Sequence, residues 1–237
     1  MQEINLIKEK WTKKDVKEFQ DYLLSFARGE EKREWEKNIV STNLPCLAIL
    51  SKDLKDISNQ IAKGNFLSLL DLNLNENLQN SLINANLISK IKDFDSFKNY
   101  LKRFLQTVDN WASVDTLEFD VKKREKEFLS LANKLLSSSK TFMRRAGVRI
   151  LFKFLDGKNI QKVFDLISKM FDEKEYYVNM AISWLVCDAF IKQRDITMKQ
   201  FEKDAFNDFV KNKSILKCRD SFRVSKEDKQ MLLKFKR

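Results

Sequence analysis

Four glycines and one proline in 237 residues constrain this chain more than any motif in it. Strand-to-strand turns draw on both residue types, glycine for its left-handed backbone and proline for its fixed φ. Both are also the poorest helix formers. A chain that nearly dispenses with them has few ways to build a sheet and few interruptions to coiling. Leu, Lys, Phe, Asn and Glu make up much of the remainder, so an all-α fold is expected.

Apolar residues recur at helical spacing in blocks separated by short polar breaks. The stretch TKKDVKEFQDYLLSFAR opens with Thr12 and Asp15 as a capping box and is expected to close at Gly29. Ser51 is expected to cap SKDLKDISNQIAK, with Gly64 closing it. Seven further stripes follow: FDSFKNYLKRFLQTV, KKREKEFLSLANKLLS, KTFMRRAGVRILFKFL, NIQKVFDLISKMF, EYYVNMAISWLVCDAFIK, MKQFEKDAFNDFVK and SKEDKQMLLKFK. The breaks SSS at 137–139 and DGKN at 156–159 read as turns. About a dozen helices at this length implies pairs of roughly 40 residues, the size of HEAT-type repeats. The period alone leaves an α-solenoid and an irregular bundle both open. The expected organisation is one domain over 1–237, with less typical helices before about residue 40 and a basic half from 119 to 237.

Several function classes fall away. No apolar run approaches the roughly 20 residues that cross a bilayer, and MQEINLIKEKW lacks the basic-then-apolar order of a signal peptide, so a cytoplasmic protein is expected. Cys46, Cys187 and Cys218 are widely spaced, with no CxxC pair, and suit buried reduced thiols better than a metal site or disulfides. Histidine is absent. Ser-His-Asp triads, Cys-His dyads and HExxH sites are therefore excluded, and any catalysis must rest on carboxylates, aromatics, Arg or Lys. No metal or cofactor is expected.

The net charge of +11 is unevenly distributed. Residues 1–118 carry 17 Lys/Arg against 18 Asp/Glu, and residues 119–237 carry 28 against 16. A concentrated positive field favours a polyanionic partner, because each neutralised phosphate releases counterions. A solubilising excess without a partner is the plainer alternative.

Trp111 and Asp115 lie four apart in VDNWASVDTL, on one face if helical. An aromatic face beside a carboxylate suits a developing positive charge. Spacing alone does not separate this from a half-buried Trp next to a capping Asp. Trp184 and Asp188 repeat the spacing in YYVNMAISWLVCD, where core packing is the usual cause. Arg144, Arg145 and Arg149 share the helix MRRAGVRILFKFL, suited equally to phosphate contact and to a solvated face. The closing segment KSILKCRDSFRVSKEDKQMLLKFKR supplies Lys217, Arg219 and Arg223, with Ser225 and Asp228 as a second capping box.

In order and separation, DNWASVD, FMRRAGVRILF, YYVNMAISW and SILKCRDSFRVS resemble the AlkD-type DNA alkylation repair family of HEAT-like-repeat glycosylases, from about residue 30 to the end. That resemblance implies a monomer that excises N3- and N7-alkylated purines from double-stranded DNA by hydrolysing the N-glycosidic bond, without drawing the base into a pocket. It implies Asp115 as the catalytic carboxylate, Trp111 and Trp184 as aromatics against the deoxyribose, and Arg145 as a DNA-contacting arginine. Met180 stands where the family often has a basic residue, and Ala48 where glycine is common. The N-terminal region is the least similar. The alternative is a non-catalytic HEAT-like module that binds branched or damaged DNA, or a protein partner.

Overall fold

A computed structural model describes residues 4–237; the first three residues of the expected domain, and of MQEINLIKEKW, lie outside the described residues. Among those described the regular structure is entirely helical. The chain divides into two compact units that meet in sequence at Glu118 and Phe119. The first contains α1 (Asp15–Leu24), α2 (Glu30–Val40), α3 (Ser51–Ile61), α4 (Phe66–Asp71), α5 (Leu78–Ile88), α6 (Phe94–Thr107) and α7 (Trp111–Asp115). The second contains α8 (Glu125–Leu136), α9 (Thr141–Leu151), α10 (Ile160–Ser168), α11 (Tyr176–Lys192), α12 (Arg194–Glu202), α13 (Asp208–Asp220) and α14 (Lys226–Leu232), with single 3₁₀ turns after α9 and α14. Within each unit a helix packs on its neighbour in the chain and on the one beyond, the pattern of a helical repeat.

In the first unit α5 packs against α3, α4, α6 and α7. It is buried on nearly every side and carries amides as well as apolar residues. Gln79, fully buried, accepts the Leu47 N–H at 2.8 Å and donates to the Glu36 carboxylate at 2.8 Å. Glu36 also accepts the N–H of Ala48 at 2.9 Å. At the start of α5, Asn77 donates to Gln20, whose amide donates to Asn80. One helical turn of side chains thus ties α1, α2 and the 41–50 loop together. The only proline, Pro45, lies in that loop, its carbonyl accepting the Leu78 N–H at 2.9 Å. Ala48 adopts φ 53°, a backbone state that costs a residue with a side chain roughly 1–2 kcal/mol. The glycine common in the resembling family meets no such cost.

In the second unit α11 holds the central place, packed against α9, α12 and α13. Its buried face is mostly apolar, from Val178 to Phe190, while Tyr176 and Trp184 are left exposed. Gly147 lets α9 approach α8: a Cβ there would sit 3.0 Å from Leu136 Cγ and 3.1 Å from the Ala132 carbonyl. Arg144 forms a bidentate pair with Glu173, at 2.6 and 3.0 Å, and donates to the Ser138 carbonyl at 2.9 Å. Burial pushes the Glu173 carboxyl up, but Arg144 and the N–H groups of Glu175 and Lys174 outweigh it and hold it below the ordinary range.

Several local expectations are corrected. α1 ends at Leu24, and Gly29 is the N-cap of α2 instead of the stop of α1. The Thr12–Asp15 box forms in part, the Asp15 carboxylate accepting from the N–H and hydroxyl of Thr12. Ser51 begins α3, with Leu50 in the cap position. Gly64 needs no left-handed backbone; a Cβ there would lie 2.6 Å from the Lys8 carbonyl, so the residue answers to a close chain crossing. The stripe MKQFEKDAFNDFVK breaks between α12 and α13, where Asp204 turns at φ 55° and Asn207 caps α13 by accepting the Val210 N–H at 2.9 Å. Side-chain capping outcompetes the continuing apolar period at that point.

Candidate functional site

α7 is a single turn set by one asparagine. Asn110, fully buried, accepts the Ser113 N–H at 2.8 Å and donates to Asp109 at 2.9 Å. Asp109 in turn accepts the Thr42 hydroxyl at 2.8 Å and the Asn43 N–H at 2.9 Å, fastening α7 to the loop after α2. Burial pushes the Asp109 carboxyl up, yet the donors Asn110, Asn43 and Thr42 prevail and keep it below its usual value. Trp111 packs on Val40, Cys46 and Leu78, and its indole N–H donates to the Ile39 carbonyl at 3.2 Å. Asp115, one turn on and half-buried, shares the Trp111 face. Spacing indicated the Trp–Asp pair. The bracing by Asn110 and Asp109 was overlooked; its signal is an Asn three residues before a Ser at a helix start.

In the second unit, Trp184 projects from α11 with 43% of its surface exposed, and the Lys217 ammonium from α13 sits 4.3 Å from the ring centre. Burial lowers the Lys217 pKa below the ordinary lysine value. Arg223 pairs with Asp188 at 3.1 Å, so the repeated Trp-xxx-Asp spacing ends in an ion pair. Trp184, Cys187, Asp188, Lys217 and Arg223 line an open depression of about 380 Å3. Arg219 lies outside it, in a second depression between α13 and α14 with Lys226 and Lys229. Cys187 and Cys218, 31 positions apart, shift each other's titration: the Cys218 thiol lowers Cys187, and the Cys187 thiol, together with burial, raises Cys218. All three cysteines are buried and unbridged, as their spacing suggested.

The arginines of α9 separate by depth. Arg145 is 4% exposed and donates to the Tyr177 carbonyl, bracing α9 against α11. Arg144 is held by Glu173 as described. Arg149 is half-buried, with its guanidinium 5.1 Å from the ring centre of Phe152. Arg144 and Arg145 thus make bracing contacts within the second unit, at positions where the sequence left phosphate contact and a solvated face equally open and the resemblance implied DNA contact for Arg145. Met180 is half-buried on α11.

Among the described residues, no cluster of three or more metal-ligating side chains occurs and no helix is long and apolar enough to cross a membrane. A family model described as DNA alkylation repair enzyme matches residues 19–207. That span starts earlier than the resembling motifs and stops before α13, leaving Lys217, Arg219 and Arg223 beyond it. No curated protein matches the chain.

Proposed function

The chain belongs to the DNA alkylation repair enzyme family, which gives it a role in DNA repair, and we propose that it acts as a glycosylase on N3- and N7-alkylated purines in duplex DNA. The observation that carries this reading is Trp111 and Asp115 on one turn, held by the fully buried Asn110. An alkylated purine of this kind is a cation. When its glycosidic bond breaks, the bonding electrons leave with the base and neutralise it, and the positive charge passes to the sugar as an oxocarbenium ion. A carboxylate and an aromatic face both stabilise that charge. Water then adds at C1′ and loses a proton, leaving an abasic site. Asp115 is assigned the stabilising carboxylate and Trp111 the aromatic beside the deoxyribose.

Trp184 is assigned a DNA-contacting aromatic of the second unit, and the cations Lys217, Arg219, Arg223 and Arg149 the phosphates. The balance of 28 Lys/Arg to 16 Asp/Glu in residues 119–237 supports that assignment. The test is release of 7-methylguanine and 3-methyladenine from alkylated duplex DNA. Wild type releases them and Asp115→Asn releases far less; DNA bound without base release by wild type favours a non-catalytic binding module.

A further inference from the structure

Phe222 is 94% exposed, the most exposed large apolar side chain among those described; the next, Trp35, is 62% exposed. It is not at a frayed end. It sits in the turn between α13 and α14, whose backbone is held on both sides. The Ser221 N–H donates to the Lys217 and Cys218 carbonyls at 3.1 and 3.3 Å, and the Ser221 hydroxyl accepts the Arg223 N–H at 3.2 Å. Ser225 then caps α14 by accepting the Asp228 N–H at 3.1 Å. Leaving a Phe in water forgoes roughly 1.5–3 kcal/mol of burial. The fold gains nothing from this ring, yet presents it on a firm turn.

The surroundings identify a partner chemistry. Ser221 and Arg223, on either side of Phe222 in the chain, line the first depression described above, and Asp220 lines both. Phe222 therefore belongs to the turn that borders the first depression, with Lys217 and Arg223 in its lining, and the second, lined by Arg219, Lys226 and Lys229, adjoins it at Asp220. A phosphate backbone that follows the two depressions meets cations in each, with the aromatic on the turn beside them. Cations alone would hold phosphates; the ring adds a π-face that a nucleobase can cover. Bases inside an intact duplex are already stacked, so the ring selects a base that is unpaired or a step that has opened.

We infer that Phe222 is a base-stacking residue that gives the protein preference for DNA with an unpaired base or an opened step. It lies outside the matched span of 19–207, and the inference rests on the DNA-binding part of the proposed function, not on catalysis. Stacking of this kind is worth on the order of tenfold in affinity per base.

The experiment compares wild type, Phe222→Ala and Phe222→Trp on three DNAs: a single strand, a duplex with one bulged nucleotide, and the fully paired duplex. Phe222→Ala should lose about tenfold on the first two and much less on the third, and Phe222→Trp should restore binding. The salt slope should be unchanged, since no phosphate contact is removed, and thermal stability should not move. Equal affinity of wild type and Phe222→Ala for all three DNAs overturns the inference. So does an equal loss on all three, absence of DNA binding by wild type, or Phe222-dependent binding only to anionic lipid vesicles. Base release is scored separately: a wild type that binds but excises nothing sinks the glycosylase reading and leaves the stacking result standing.

Discussion

α5 and α11 occupy equivalent places in their units, yet they are held by opposite means. α5 is fastened by neutral amides and one shared carboxylate, through Gln79, Asn80, Asn77 and Glu36. α11 is fastened by apolar packing, with charged braces from Arg144 to Glu173 and from Arg145 to the Tyr177 carbonyl. The difference follows the charge: the first unit is nearly neutral and the second carries the excess of Lys and Arg. It suggests a division of labour. A short turn holding a carboxylate is set by hydrogen bonds that do not depend on salt, while the strongly basic unit supplies the long-range field.

The largest expected effect tests whether chemistry belongs to the first unit. Asp115→Asn should lower base release about 100- to 1000-fold while leaving the salt dependence of DNA binding unchanged; a parallel fall in both would erase the division. Next comes the charged brace. Arg144→Met leaves Glu173 buried without its partner and should cost about 3 kcal/mol in denaturant unfolding. Because the Glu173 carboxyl is depressed in the native state, its contribution is full above the ordinary glutamate range and is lost as pH falls through the depressed value. Wild type should therefore lose stability on acidification below about pH 4.3 more steeply than Glu173→Gln.

The neutral brace should behave otherwise. Gln79→Ala strands the Leu47 N–H and should cost about 2 kcal/mol, with little change in the acid slope. In the second unit, replacing Lys217, Arg219 and Arg223 together by Gln should flatten the log–log salt slope of DNA binding by up to about 2.7, measured by anisotropy across a salt titration. An unchanged slope would remove these cations from the phosphate contacts. The smallest effect is Ala48→Gly. Relief of the left-handed backbone is partly offset by the entropy of an added glycine, leaving a gain of about 0.5 kcal/mol, visible as a small rise in Tm.

Legibility in the sequence followed periodicity. α6, α8, α9, α10 and α11 were all read from apolar stripes. α5 was not, although it is the hub of its unit, because LQNSLINANLI is buried all round and lacks a polar face. α2 was missed for the reverse reason, as EEKREWEKNIV is too charged to show a stripe. Trp111 and Asp115 were legible because one helical turn converts a spacing of four into a shared face. Phe222 was not, since a lone Phe in a basic segment reads equally as core.

Scarcity of glycine and proline was enough to determine a helical fold, and the order of charged residues was enough to place the basic excess after residue 118. Both are sums over local composition, which no partner can alter. Depth was decided by the tertiary structure alone: that Arg145 is covered while Phe222 is bare, that Cys187 meets Cys218, and that Gly64 marks a chain crossing. Those properties depend on which distant segments arrive at a residue, and burial, pairing and clash are energies of that arrival.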